Sequence, residues 1–395
     1  MRLGDLMSVS EFSPPKAKSV DLLVIAGEAS GDEHASILIE ELLKDNPEVN
    51  VSALGGKCLQ ANGAHLIYPL VDHAVVGLFE VLKNYFLFKN IFLKTLKWIQ
   101  CYKPHTILLV DYPGFNLRLA RELKKKGISL KGGGTVKVLQ YISPQLWAWK
   151  PKRRFMMEEV LDGLAVLFPF EVECYKDTKL PVSFVGHPFG SEHYKPSVYY
   201  DPNGPLLILP GSRIQPVQRI LPVFLDAYEQ LLQDFPDMDA YLPVPDKNIR
   251  FEVEKILINH PQLKKKVKVV LGSENIKVRV ALMSSGTMSL SCAVAGIPGI
   301  IGYRAHPITY LIGRLLVKVP HLGMANILLS SDPPYPEFLQ NSANGKTLKE
   351  SLARILNDHE ARAKAEANSL KIIQSIHGPK EKNTKEWLAQ EISFC

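Results

Sequence analysis

Cysteine is scarce in this chain and badly placed for bridging. The five residues are Cys58, Cys101, Cys174, Cys292 and Cys395, odd in number, scattered, and without a CxxC pair. That argues against a disulfide framework or a zinc site and for a reducing compartment. No apolar run approaches the roughly twenty residues needed to cross a bilayer. Met1 to Pro15 lacks the basic start and apolar core of a secretory signal. Neither GxGxxG nor the lysine-bearing P-loop occurs, so a dinucleotide-binding fold or a Walker ATPase is not supported. There is no recognised nucleic-acid-binding motif, and the charge is too evenly spread to argue for such a partner. Repeats of solenoid period and low-complexity tracts are also missing.

What is present is a globular composition: 46% apolar and 22% charged over 395 residues, enough for two domains. Forty-seven Lys and Arg against 40 Asp and Glu leave a charge of +7. That mild excess favours anionic partners such as phosphates or an acidic membrane face.

Short apolar runs alternate with helical patterns, the signature of a parallel α/β fold. Strands are expected at Val20–Ala26, Val51–Leu54, Thr106–Val110, Val136–Tyr141, Leu164–Phe168 and Ser183–Val185. After a polar, turn-rich stretch at 190–204, more are expected at Leu206–Leu209, Met238–Leu242, Val267–Leu271, Val278–Met283 and Gly299–Tyr303. A helix is expected from Pro307 to Lys318, a loop over His321–Asn326, and a polar helical pattern beyond Thr347. The implied organisation is a lead-in over 1–19, a domain over 20–189, a linker over 190–204, a second domain over 205–345, and C-terminal helices over 346–395.

Thr106-Ile107-Leu108-Leu109-Val110 runs straight into Asp111, and Pro113-Gly114 then breaks the chain ahead of a helix. Ligands of parallel α/β sheets bind at the carboxyl ends of strands. A carboxylate there can act as a base toward a hydroxyl, or it can merely cap the turn that follows. Three further loops join a strand to a helix with glycine and small hydroxyl residues: Gly27-Glu28-Ala29-Ser30-Gly31-Asp32, Pro210-Gly211-Ser212-Arg213, and Ser284-Ser285-Gly286-Thr287. Such loops point backbone N–H groups at an anion, although many are only turns. Arg213 adds a permanent cation suited to a diphosphate. Trp147 and Trp149 stand beside Lys150, Lys152, Arg153 and Arg154, either as packed rings next to a solvated basic face or as a phosphate-binding wall. His187, before Pro188, reads as structural.

The segment 75–99 is unusually apolar, with Phe79, Val81, Leu82, Tyr85, Phe86 and Phe88 among its residues. If helical, the segment places Lys83, Lys94 and Lys97 in one sector, with Lys89 off it. Two readings stand: a buried core helix, or a face that meets a bilayer or acyl chains while lysines reach phosphate head groups.

Taken together and in order, these loops resemble one family, the bacterial lipid A disaccharide synthases. The matching stretches are Gly27–Asp32, Asp111–Asn116, Tyr141–Pro144 with Leu146–Trp149, Phe168–Glu171, Val185–Pro188, Leu209–Arg213, Ser285–Thr287 and Ala325-Asn326. The resemblance implies an α/β GT-B glycosyltransferase: two Rossmann-like domains with parallel sheets facing a central cleft. It implies an inverting reaction that joins UDP-2,3-diacylglucosamine to 2,3-diacylglucosamine 1-phosphate (lipid X). The products are a β(1→6) disaccharide 1-phosphate and UDP, with no cofactor and no metal. Asp111 would be the base, with Glu28 and Ser30 lining the cleft near the reacting sugars. Gly211, Ser212 and Arg213 would stabilise the leaving UDP, Ser285, Gly286 and Thr287 would hold the nucleotide, and Asn326 would close the cleft. Phe79, Val81, Leu82, Tyr85, Phe86 and Phe88 would meet acyl chains or an anionic inner-membrane surface, making the protein cytoplasmic and peripheral on that face. A homodimer is also expected by analogy.

Two departures from the family pattern stand out. Ser291 replaces a usual acidic residue, weakening the expected contact to a ribose diol. Gly114 stands where a second Asp is often found, leaving Asp111 as the carboxylate there. Two alternatives remain: another GT-B enzyme using UDP-N-acetylglucosamine, and a non-catalytic nucleotide-sugar-binding protein at a membrane surface. The apolar segment disfavours an epimerase, whose substrate is soluble.

Overall fold

The computed structural model describes residues 11–73, 85–191, 194–272, 275–284, 286–305, 320–379 and 383–392. Val75–Leu82, the helix expected from Pro307 to Lys318, and Ser285 lie outside the described residues. The chain divides into two compact units: Met1–Pro188 with Gly378–Cys395, and Phe189–His377.

The first unit is built on a seven-stranded sheet. Its strands are β1 (Leu22–Ala26), β2 (Val51–Leu54), β3 (His65–Tyr68), β4 (Thr106–Val110), β5 (Lys137–Tyr141), β6 (Gly163–Val166) and β7 (Val182–Phe184). Their order is β3-β2-β1-β4-β5-β6-β7, and every pairing is parallel. β1 and β4 are buried along their whole length, which is why their sequences are unbroken apolar runs rather than alternating ones. Helices Ala29–Asp45, Tyr85–Tyr102, Pro113–Lys125 and Arg153–Val160 connect the strands. Ile91, Leu96, Trp98 and Ile99 of the second of these enter the same core as Leu23, Ile25, Ile107 and Leu109. β3 escaped the sequence reading because it is a short edge strand, half-buried at His65 and Leu66.

The second unit repeats the plan with six strands: β9 (Leu206–Leu209), β10 (Ala240–Val244), β11 (Val267–Leu271), β13 (Val280–Met283), β14 (Gly299–Tyr303) and β15 (Glu337–Leu339). They run β11-β10-β9-β13-β14-β15, again parallel. A separate pair joins β8 (Val198–Tyr200) to β12 (Ile276–Val278). The run expected as one strand over Val278–Met283 is therefore divided. Arg279 sits at the junction, its amide on the Pro205 carbonyl and its guanidinium on the Leu356 carbonyl. The loop expected over His321–Asn326 is corrected as well: Met324–Leu328 is a short helix, because Ala325 and Asn326 turn into the interior. Beyond 346 the chain is shared, helices Gly345–Asn357 and Ala361–Ile376 lying in the second unit and Thr384–Glu391 in the first.

In both sheets the strand order reverses once, between β1 and β4 and between β9 and β13. At such a switch point the connections leave in opposite directions and open a crevice beyond the strand ends. The loops after β1, β4, β9 and β13 are the four singled out from the sequence.

Candidate functional site

In the first unit Ala26 pairs with Val110, so the chain leaves β1 into Gly27-Glu28 and β4 into Asp111-Tyr112 side by side. Asp111 is half-buried. Tyr112 occupies the N-cap position of the helix that follows, and the Tyr112 side chain makes no capping bond. Asp111 and Tyr112 have φ of 44° and 46°, two consecutive non-glycine residues in the left-handed region. Each costs about 1–2 kcal/mol, so the surrounding structure must hold the elbow. Two buried amides do so. Asn116 Nδ2 donates to the Asp111 carbonyl at 2.8 Å and the Val110 carbonyl at 3.2 Å. Gln140 Nε2 donates to the Asp111 carbonyl at 3.2 Å and the Ile142 carbonyl at 3.1 Å.

Glu28 is half-buried at the N-cap of helix Ala29–Asp45 and makes no side-chain cap, while Ser30 is exposed in the first turn. Glu28 lies close enough to Tyr112 to help burial push the phenol's pKa upward. Asp32 from the same loop is structural: buried, it accepts from the amides of Gly56 at 2.7 Å and Cys58 at 2.9 Å.

The loops after β5 and β6 add a buried group that sequence reasoning did not assign a role. Glu171 accepts from the amides of Leu167 at 3.2 Å and Phe168 at 3.1 Å. Burial pushes its pKa up to about 7 against the pull of those amides, with a smaller upward contribution from the negative charge of Asp111. Trp147 packs edge-on against Phe170, so this ring faces inward. Arg154 is paired with Asp177 and stacks on Phe155. His187 stacks on Phe168, and burial drives its pKa down to about 3, so it is neutral at physiological pH. A signal for Glu171 lay in the Phe168–Glu171 motif. For Gln140 it lay in a polar residue set within an apolar strand.

In the second unit Leu209 pairs with Met283, which places Pro210–Arg213 beside Ser284 and Gly286. Gly211 has φ of 114°, and a Cβ there would lie 3.4 Å from Ser284 Oγ. Ser212 and Arg213 are exposed, and Arg213 is the N-cap of helix Ile214–Leu231 without a side-chain cap. Gly286, with φ of 147°, is the N-cap of helix Thr287–Val294. Both helices thus leave amides uncapped by their N-cap side chains, the arrangement that attracts an anion.

Asn326 is turned into the interior. It is fully buried, and its Nδ2 donates to the Tyr335 carbonyl at 2.7 Å and Glu337 Oε1 at 2.8 Å. Glu337 in turn accepts from the amides of Leu322 and Gly323. Ser291 is also buried, with Oγ 2.9 Å from the hydroxyl of Tyr194, whose ring stacks on Phe189. Asp226, Glu229 and His260 could share a cation, their ligand atoms lying within 4.8 Å of one another. Asp226 and Glu229 belong to the C-terminal half of helix Ile214–Leu231 and His260 to the turn after helix Lys247–Leu257, so the group is remote from the strand ends that the N-terminus of the first helix faces.

Helix Tyr85–Tyr102 has one buried face and one exposed face. Ile91, Leu96, Trp98 and Ile99 are buried, whereas Phe86 and Leu93 are 61% and 51% exposed. Lys89 and Lys97 are exposed on the same side, and Phe88 is half-buried. Lys89 is exposed like Lys97, while Lys94 is half-buried and paired with Glu11 at 2.9 Å; Lys83 lies outside the described residues. Phe79, Val81 and Leu82 lie outside the described residues, as does the side chain of Tyr85. Among the described residues no helix is long and apolar enough to cross a membrane.

Comparison with known proteins gives a family model, lipid-A-disaccharide synthetase, matching residues 22–392. Lipid-A-disaccharide synthase 1 of Legionella pneumophila is 35% identical over 379 residues, covering 92% of this chain and 94% of that protein. Among solved structures, a UDP-GlcNAc 2-epimerase of Methanocaldococcus jannaschii, in complex with UDP-GlcNAc and UDP, superposes with a TM-score of 0.59. It is 10% identical, and 95% of this chain and 99% of that one are covered. A glycosyltransferase from Rickettsia africae superposes with a TM-score of 0.55 at 14% identity, covering 95% and 98%. Likeness at such identity concerns the fold alone, and it is the fold of GT-B glycosyltransferases and their epimerase relatives.

Proposed function

The chain belongs to the lipid-A-disaccharide synthase family and is a glycosyltransferase of lipid A biosynthesis; on that premise we propose how its residues divide the work. The donor is UDP-2,3-diacylglucosamine and the acceptor is lipid X. Asp111 takes the proton from the acceptor's 6-hydroxyl as that oxygen attacks the anomeric carbon of the donor. The bond from that carbon to the diphosphate breaks on the opposite side, its electron pair leaves with UDP, and the new linkage is β(1→6).

The observation that carries this reading is the place of Asp111: at the end of β4, at the reversal of strand order, in an elbow held against its backbone preference. Glu28 and Ser30, on the adjoining loop, face the reacting sugars. Arg213 and the amides of Gly211 and Ser212 stabilise charge developing on the diphosphate, the largest contribution expected in such a site. Ser285, Gly286 and Thr287 hold the nucleotide. Asn326 acts at one remove: with its amide committed to Tyr335 and Glu337, it fixes the 321–323 loop. The exposed Phe86 and Leu93 with Lys89 and Lys97, continued by Phe79, Val81, Leu82, Tyr85 and Phe88, dock on the anionic cytoplasmic face of the inner membrane, from which both lipid substrates are taken.

The test mixes the protein with both substrates in detergent and follows disaccharide phosphate by mass, with Asp111→Asn alongside. Wild type should form product, and the variant should lose at least about a hundredfold in kcat. Equal turnover by the two would remove Asp111 from the role of base.

A further inference from the structure

The polar groups packed beneath Asp111 do more than satisfy a turn. β1, β4 and β5 end side by side, and carbonyls at and just beyond their ends are gathered by two side-chain amides. Each of the two amide nitrogens there has three carbonyl oxygens in reach. Asn116 Nδ2 meets those of Ile25 at 3.4 Å, Val110 at 3.2 Å and Asp111 at 2.8 Å. Gln140 Nε2 meets those of Asp111 at 3.2 Å, Tyr141 at 3.3 Å and Ile142 at 3.1 Å. The carbonyl acceptors fix which end of each amide is nitrogen. Asn116 Oδ1 and Gln140 Oε1 are themselves buried with no partner. The fold therefore bears two unmatched acceptors in order to aim N–H groups at the elbow, a cost to explain rather than a by-product of packing.

The Asp111 carbonyl is the one group that both amides bind. The Asp111 amide is meanwhile tied to the Tyr141 carbonyl at 3.0 Å, as the last rung of the β4–β5 ladder. The peptide planes on both sides of the Asp111 Cα are thus fixed. With φ at 44° here and 46° at Tyr112, the direction in which the Asp111 side chain leaves the backbone follows from those planes. Ile142, which Gln140 also holds, has φ of 70°, so the same amide restrains left-handed backbone on two neighbouring strand ends.

We propose that Asn116 and Gln140 are positioning residues for the transferase reaction, acting from helix and strand to lock the Asp111 elbow so that its carboxylate meets the acceptor hydroxyl. This rests on the reading of Asp111 as the base. Both amides are fully buried, so they act through the Asp111 backbone that they hold.

A kinetic cycle tests the proposal: wild type, Gln140→Met, Asp111→Asn and the double variant, each with kcat, KM and a thermal transition. Methionine keeps the length and removes the N–H donors. Gln140→Met should lower kcat about 10- to 100-fold while KM stays within about threefold, as expected for a misplaced reacting group. In the Asp111→Asn background the same change should cost less than about twofold, because the group it positions is already gone. An undiminished kcat in Gln140→Met overturns the proposal, and so does an equal loss in both backgrounds. Asn116→Ser, taken through the same cycle, should behave alike. If neither variant retains a cooperative transition, the amides are structural only and the proposal fails. Wild-type turnover by Asp111→Asn alone would instead remove the base assignment, an outcome distinct from a failed clamp.

Discussion

Gly27 and the ring of Tyr112 occupy space that cannot hold both that ring and a side chain at 27: a Cβ on Gly27 would lie 2.2 Å from Tyr112 Cδ1. Glycine at 27 is required by this approach, since its φ is not in the left-handed region. Tyr112 cannot retreat without disturbing the elbow at φ 46°. Gly27→Ala should lower stability by about 1–3 kcal/mol, as overpacking does, and reduce kcat with it. Tyr112→Ala in the same chain should relieve the stability loss. Denaturant unfolding of the two single variants and the double decides the matter, and a coupling below about 0.5 kcal/mol would show that the ring and residue 27 are independent.

Arg213 should behave as a group that acts in the transition state. Arg213→Ala is expected to lower kcat by about a hundred- to a thousandfold, the loss typical of removing one charge-stabilising donor. Arg213→Lys should recover only part of it, since a planar fork fits a diphosphate better than a point charge. Steady-state kinetics with saturating donor would check this. A change confined to KM would assign Arg213 to ground-state binding.

Glu171 links stability to pH. Burial raises its pKa from 4.5 to about 7, which favours the protonated acid in the folded state. The stability this contributes is fully present below about pH 4.5 and is lost as pH rises through about 7. At about 1.4 kcal/mol per pH unit the loss amounts to about 3 kcal/mol. Glu171→Gln keeps an oxygen for the amides of Leu167 and Phe168 but does not ionise. Its Tm should fall less than that of wild type between pH 5 and pH 8. His187, lowered by burial to about 3, acts on the opposite side: its contribution is present above about pH 6.5 and is lost as pH falls below it. Equal pH slopes for wild type and Glu171→Gln, measured by calorimetry, would refute the Glu171 prediction.

The outer face of helix Tyr85–Tyr102 should matter to membranes and not to folding. Phe86→Ser with Leu93→Ser removes two exposed apolar side chains. Sedimentation with vesicles rich in anionic lipid should show at least a tenfold weaker partition, with Tm changed by no more than about 2 °C. If the variant sediments like wild type, this face is not the docking surface.

Much of this protein was written locally. Strands such as Val51–Leu54, Thr106–Val110, Leu206–Leu209 and Gly299–Tyr303 have the bounds their apolar runs indicate, because a strand buried on both faces reads as a near-continuous apolar run. The loops at Gly27, Asp111, Gly211 and Ser284 were legible for the same reason: each ends such a run with residues that turn the chain into a helix. Periodicity did less well where two elements shared one run. Val278–Met283 is divided by a pairing with β8 that is distant in sequence, and His321–Asn326 hides a helix that exists because Asn326 is drawn to Tyr335 and Glu337.

What only the tertiary structure decided is which of these pieces meet. Residues 24–32 and 111–116 are brought together by the placing of β1 beside β4, a pairing that no local pattern encodes. Gln140 reads as an ordinary polar residue until β5 is laid against β4, and only then does its amide reach the Asp111 carbonyl. Glu171 reads as a surface acid until the chain around it closes and burial shifts its ionisation. Sequence by itself determined the chemistry available at each strand end, because backbone propensity and hydrophobic period act over a few residues. Position, burial and strain come from contacts between residues far apart in the chain, and those exist only in the fold.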